Sequence, residues 1–350
     1  MDRKRLVVSA VVLGVLGALI YVQFRTWKNF DWALFFSQTH RVNLLHIFHG
    51  VALIYAGYVL RAIRWKIFLK PVRPKVRSLE LVSPTLVGFT GLALLGRPGE
   101  FIRPYLIARR TNLPVSSQFA AWAVERIFDI GAFTLLFVIV AFFATAPKRL
   151  AQYTTFREVG LVLLLIFGGL TIGAIFVSRS GDSIARWVEE RFGSSHWGHL
   201  VAERVREFRS GLNTIHGTSE LLQLIAVSVL MWAMIAIAYK EVTHSYGVEK
   251  LDIPQTQVLL LMASSMVGSL IQLPGVGGGS QLATIAMLNR VFDVPPELAA
   301  SAGIMLWLVT FVAVIPVGLF LAHRERLSLR KLSEESHHTE EESSSAKLSV

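Results

Sequence analysis

Six stretches of the chain, at about residues 6–24, 44–62, 115–144, 158–178, 219–240 and 297–322, are each apolar over roughly the 20 residues that cross about 30 Å of hydrocarbon. Inside hydrocarbon no water serves the backbone N–H and C=O groups, so a segment must satisfy them internally, and a helix does so. The expected fold is therefore an all-α polytopic membrane protein. Composition agrees: 53% of the 350 residues are hydrophobic and 17% charged, with a mean hydropathy of +0.52.

Two further apolar stretches are broken. Residues 82–112 are interrupted by Gly96, Pro98, Gly99 and Pro104, which leaves an arm of about 14 residues before the break, short for a crossing. Residues 256–293 are interrupted by LPGVGGGS. Basic residues set the orientation. Residues 61–77 hold seven Lys or Arg, and the segments 179–212 and beyond 322 are also Arg-rich, whereas 25–43, 145–157 and 241–255 hold fewer. Six crossings place all the basic segments in the cytoplasm only if each broken unit enters and leaves on one side. The first unit is then a re-entrant hairpin from the cytoplasm and the second one from outside. Eight full spans, with both broken units crossing, is the alternative.

Residues 1–322 read as a single membrane domain whose first span is a retained anchor with a cytoplasmic N-terminus. Residues 181–212 suit an amphipathic helix on the cytoplasmic surface, because Val201, Val205, Phe208 and Leu212 share a face. Residues 323–350 are Ser/Glu-rich and are expected to be a disordered cytoplasmic tail. The broken units also match each other: a Val-Gly opening, a Gly/Pro break, a second half-helix, a Pro-containing turn and a small-residue entry into a span. Repeat 1, about 44–144, and repeat 2, about 219–322, are therefore expected to be inverted, a plan that puts a substrate site near the midplane.

The segment from Gly96 to Asp129 concentrates ionisable groups between apolar runs. Such groups at bilayer depth are costly unless paired or lining a wet cavity. Arg97 and Arg103 offer forked donors suited to phosphate, and Gly99 opens a half-helix whose N–H groups attract anions. Glu100 lies three residues before Arg103, close enough to pair with it on a helix, and Glu125 and Asp129 share a face with Arg126 beside them. A buried Glu125 needs a cation, and Arg97 or Arg103 is the expected partner. A cavity for a charged headgroup and a salt-bridge cluster pinning the hairpin are both compatible with this set. The second break is neutral: Gln272, Ser280 and Gln281 offer hydrogen bonds, and Gly277 and Gly278 allow either close ligand approach or tight helix packing.

The formal charge of +11 fits loops facing anionic headgroups, and no nucleic-acid-binding module is visible. With no cysteine there is no disulfide or thiolate chemistry. GVGGGS lacks the following Lys-Ser/Thr of a nucleotide loop. His46 and His49, without neighbouring carboxylates in sequence, read as packing rather than as a metal site. No catalytic constellation, cofactor or metal is expected.

GRPGEFIRP, the later ERIFD and the LPG-VGGGSQ break together resemble the flippase-like membrane family named for the transmembrane region of lysylphosphatidylglycerol synthase. The resemblance covers about residues 40–322. It implies an inner-membrane protein that moves or presents polar lipids between leaflets, with Arg97, Gly99, Glu100, Arg103, Glu125, Arg126 and Asp129 as its motif residues. No soluble aminoacyl-transferase domain follows, so synthase activity is not expected. The second break, often acidic near Ser280 in that family, is neutral here. The expected function is a bacterial inner-membrane lipid translocase whose partners are membrane lipids with polar or anionic headgroups. A lipid-biosynthetic enzyme and a second copy of the chain are further candidate partners. A secondary transporter of a small solute and a non-transporting scaffold for a lipid-modifying enzyme are the rivals.

Overall fold

The computed structural model describes residues 31–143, 153–192, 217–270 and 278–324, and among these there are helices and turns but no strand. The expected first span, Gln272, Gly277, residues 193–212 and the tail from 325 lie outside the described residues. The helices are α1 (Trp32–His40), α2 (Leu44–Leu69), α3 (Ser78–Leu95), α4 (Ile102–Thr111), α5 (Val115–Phe143), α6 (Tyr153–Phe192), α7 (Thr218–His244), α8 (Gln255–Gly268), α9 (Gly278–Ala286), α10 (Pro296–Trp307) and α11 (Ile315–Arg324). A 3-10 turn, Arg97–Phe101, joins α3 to α4.

Local chemistry sets the boundaries. Asp31 and Asn43 cap α1 and α2 by accepting from the N–H groups of Leu34 and Leu45. Asn112 ends α4 in the left-handed region, and Pro296 opens α10 at a position where its missing N–H costs nothing. α2, α3, α7 and Pro296–Arg324 are long and apolar enough to cross a membrane. The outer surface agrees: Leu44, Phe48, Leu165 and Ile172 are exposed apolar side chains, a surface made for lipid rather than water.

Both broken segments are helical hairpins. α4 runs back along α3, with Gly88 against Arg103 and Gly91 against Ile102, and a Cβ on Gly99 would overlap the Gly91 carbonyl. α9 runs back along α8, with Gly268 against the Gly279 carbonyl and Ala283. The first arm is longer than expected. Ser78 and Glu80 are carried in its first helical turn, so α3 has 18 residues and is itself long enough to cross.

The repeat is visible in register. The Gly88–Arg103 contact and the Gly268–Ala283 contact are displaced by 180 residues. After α9 the displacement becomes 181: left-handed Asn112 pairs with left-handed Asp293, Pro114 with Pro295, and the start of α5 with the start of α10. The π-turn Met287–Val291 accounts for the extra residue, since a π-turn is a one-residue insertion in a helix. The two units point in opposite directions. α2 and α7 form the most extensive helix pair, and they run antiparallel, with Gly50 near Ala238, Gly57 near Met231, and Lys70 paired to Glu220.

Two expectations change. α2 continues through Leu69, so Arg61 and Arg64 belong to a buried helix rather than to a cytoplasmic loop. α6 runs unbroken from Tyr153 to Phe192, 40 residues, so there is no break near residue 180 between a span and an amphipathic helix. Among the described residues, α3 lies against α2 and α11, and α8 touches α5, α6 and α7.

Candidate functional site

The seam where α2, α4, α5 and α7 meet holds a cluster of charge. α2 supplies Arg61 and Arg64, one turn apart on its buried face, with Trp65 beside them. α4 supplies Arg103 from its first turn, where the bare backbone of Gly88 lets the arm sit close. α5 supplies Glu125 and Asp129, also one turn apart, with Arg126 between them. α7 adds Ser228 and Trp232. Arg61, Arg64, Arg103, Glu125 and Asp129 are each less than a tenth exposed.

Arg103 bonds both oxygens of Glu125 through its two terminal nitrogens. Arg64 bridges the acids, donating Nη2 to Glu125 at 2.5 Å and Nη1 to Asp129 at 2.8 Å, and Nη1 also reaches Ser228 at 2.9 Å. The Trp232 indole donates to Asp129 at 3.2 Å. Arg126, with 41% of its side chain exposed, approaches Asp129 at 3.2 Å. Aromatic faces cover the cations: Arg103 lies over Trp65 and Phe89, and Arg61 lies 4.9 Å from the Phe89 centroid.

Charge within the cluster does not balance. Among the described residues, four guanidinium groups face two carboxylates, an excess of two positive charges. Half-buried Glu100, within electrostatic reach of Arg126, reduces the excess to one. Arg61 is the least satisfied member. Its Nη1 lies 3.6 Å from Asp129 and 3.9 Å from Glu125, and it makes no hydrogen bond. Asp129 Oδ2 is likewise buried without a hydrogen-bond partner. Arg61 Nη1 and Asp129 Oδ2 are buried and held by ion-pair contacts of 3.2–3.9 Å without a hydrogen bond, so a ligand that offers an acceptor to the first and a donor to the second gains most here.

Of the residues expected from sequence, Arg103, Glu125, Arg126 and Asp129 come together here. Arg97, Gly99 and Glu100 form the turn that leads into Arg103. Gly278 opens α9 with a φ of 56°, and Gln281 is partly buried on the same helix. Ser280 lies apart from the charges, sharing a 2.7 Å hydrogen bond with Ser265, which also accepts from Tyr239 at 3.0 Å. Sequence reasoning missed Arg61, Arg64, Ser228 and Trp232. The signal for the arginines was present: they are three residues apart, and the apolar pattern of Ala62, Trp65, Phe68 and Leu69 carries the helix past them.

An α-helical bundle built from two opposed units, with lipid-suited outer faces and an ion-paired polar centre, defines a polytopic membrane protein. The chain belongs to the family described as the lysylphosphatidylglycerol synthase TM region, whose profile matches residues 6–318. It is similar to the glycosyltransferase AglD of Haloferax volcanii, 26% identical over 288 residues, which is 73% of this chain and 45% of that protein. The chain thus spans less than half the length of that relative. Two UPF0104 membrane proteins of Methanothermobacter thermautotrophicus are also similar. One is 22% identical over 290 residues, 80% of this chain and 85% of the relative, and the other 24% over 287 residues, 76% and 79%. No solved structure matches the chain.

Proposed function

We propose that this protein is a lipid translocase that carries a polar headgroup across the bilayer while the acyl chains stay in lipid. The observation that supports this reading is the positive excess at Arg61, held at low exposure beside an Asp129 Oδ2 that has ion-pair contacts but no hydrogen bond. A phosphate oxygen answers the first, and a hydroxyl or ammonium hydrogen of the same headgroup answers the second. Phosphoethanolamine, phosphoglycerol and phosphate-linked sugar headgroups carry both.

Depth supports the reading as well. At 1.5 Å per residue, Arg64 and Arg61 lie about 8 and 12 Å from the end of α2 at Leu69. Beyond Leu69 come the exposed Lys70, Arg73, Lys75 and Arg77. The cluster therefore sits between the midplane and the basic end of the helix, where a headgroup arriving from the cytoplasmic leaflet meets it. On this reading the two hairpins are re-entrant from opposite faces, six helices cross, and both termini are cytoplasmic in a bacterial inner membrane. The protein's part is not catalytic. A lipid-biosynthetic enzyme supplies or consumes its cargo, and the glycosyltransferase name of one relative fits a sugar-bearing lipid among the candidates.

The test uses proteoliposomes containing tail-labelled phospholipid, with an added membrane-impermeant reductant reporting outer-leaflet label. The wild-type chain is expected to expose inner-leaflet label, and Arg61→Gln to slow that exposure at least about tenfold, equivalent to about 1.4 kcal/mol in the barrier. Equal rates for the two proteins, or for protein-free liposomes, overturn the proposal.

A further inference from the structure

A second polar cluster lies at the other end of the α2–α7 seam, and the lipid-handling reading makes no use of it. His46 and His49 stand one turn apart near the start of α2, and Glu241 faces them from the end of α7. His46 Nδ1 is 2.6 Å from Glu241 Oε2, and His49 Nδ1 is 3.8 Å from the same oxygen. One ligand atom from each of the three residues falls within 4.8 Å of the others. The His244 ring stands edge-on to His46 with centroids 5.0 Å apart, and its Nδ1 is 3.1 Å from Asp252.

We infer that His46, His49 and Glu241 form a binding site for a divalent transition metal of the zinc class. Two imidazoles and one carboxylate are a standard donor set for zinc, leaving one position open to water or a further ligand. Metal–ligand bonds of about 2.0–2.2 Å place neighbouring tetrahedral donors about 3.3–3.5 Å apart. The His46–Glu241 separation must therefore widen by under 1 Å and the His49–Glu241 separation close slightly, movements within reach of side-chain rotation. The carboxylate compensates one of the two metal charges. His49, with half its side chain exposed, gives an entry path. His244, held by Asp252, stands edge-on to the His46 ring beside the ligands.

Placement gives the site a consequence. Glu241 and His244 on α7 are displaced from Arg61 and Arg64 on α2 by the same 180 residues that relate the two hairpins. The two clusters therefore occupy corresponding turns at opposite ends of the seam between the inverted units. An ion held by α2 and α7 together joins the two units at the end remote from the arginines.

Zn²⁺ is the probe, added to the tag-free full chain in detergent after treatment with EDTA. Calorimetric titration and metal analysis after gel filtration are expected to show one ion per chain, bound at micromolar concentration or tighter, with a rise in the unfolding temperature. His49→Ala and Glu241→Gln are expected to weaken binding at least tenfold and to abolish that rise. Co²⁺ is expected to give the intense visible bands of a four-coordinate site in the wild type alone. An unchanged unfolding temperature in EDTA shows that the variants are folded. Equal Zn²⁺ binding by wild type and both variants, or none below about 100 µM, overturns the inference and leaves a His–carboxylate hydrogen bond. Neither result bears on lipid movement, which is read separately at Arg61.

Discussion

Arg103 closes on both oxygens of Glu125 and ties the first hairpin to α5, alongside the packing of Phe101 on Trp122. Glu125 is fully buried and is shared with Arg64, so its charge is the one on which two buried cations depend. Removing one partner from a buried ion pair costs about 3–5 kcal/mol, because the other is left uncompensated. Glu125→Gln is therefore expected to lower stability by that order in detergent unfolding. Arg103→Met leaves Glu125 still bound to Arg64 and costs less. The double variant is expected to lose clearly less than the sum of the two. Losses that add to within about 0.5 kcal/mol mean that the residues are energetically independent.

Arg61 and Arg64 differ in satisfaction although one turn separates them. Arg64 makes three charge-assisted or polar hydrogen bonds, to Glu125, Asp129 and Ser228. Arg61 makes none through Nη1 and rests over Phe89. Arg64→Gln is expected to destabilise by about 3 kcal/mol or more, and Arg61→Gln by about 1 kcal/mol or less, since excess positive charge is removed with it. Unfolding midpoints of the two variants, read side by side, decide the matter. Similar losses would assign both arginines to the structural frame.

How much of this was legible in the sequence follows from where each signal lives. Helical class, the two breaks and the Gly96–Asp129 charges were readable, because apolar length and Gly/Pro punctuation are local. The kinship of the two hairpins was readable too, through the Val-Gly openings and the Pro-containing turns. The partners of Arg61 and Arg64 were not. Both belong to a basic-rich segment with Lys66 and Lys70, and composition alone does not separate an arginine buried against a carboxylate some 60 positions away from one facing water. Glu241 escaped for the same reason: it meets His46 only through the antiparallel packing of α2 on α7. The one-residue slip between the hairpins depends on a π-turn, which leaves no mark in apolar periodicity.

The first hairpin turns on a contact with no room for a side chain. A methyl group at Gly99 would enter the Gly91 carbonyl, and that backbone is held inside α3. Gly99→Ala is expected to destabilise by about 2–4 kcal/mol, as overpacking against fixed backbone does, and to displace Arg103 with it. Gly168→Ala is the control: its Cβ would meet nothing within 4 Å, and it lies within α6. There alanine's better helix propensity is expected to be neutral or to add up to about 1 kcal/mol. Equal behaviour of the two alanines in thermal unfolding would show that the arms do not approach as described.

The second hairpin is tied without charge. One turn into α10's far half, Leu306 stands at the position corresponding to Glu125, by the 181-residue displacement, and it is buried among apolar neighbours. That hairpin is held instead by the chain Tyr239–Ser265–Ser280, which links α7, α8 and α9. Ser265 is the middle member, so Ser265→Ala strands the Ser280 hydroxyl and takes one of two partners from Tyr239, which also bonds Thr310, while Ser280→Ala leaves the Tyr239–Ser265 bond intact. A buried polar group left unpaired costs about 1–3 kcal/mol, against about 1 kcal/mol for an ordinary lost hydrogen bond. Ser265→Ala is therefore expected to destabilise roughly twice as much as Ser280→Ala. On the proposed reading, the arginines of the first unit select the headgroup's charge, so neither variant is expected to alter any preference between anionic and zwitterionic labelled lipid in the proteoliposome assay. A change of preference in Ser280→Ala would place the headgroup against the second hairpin as well.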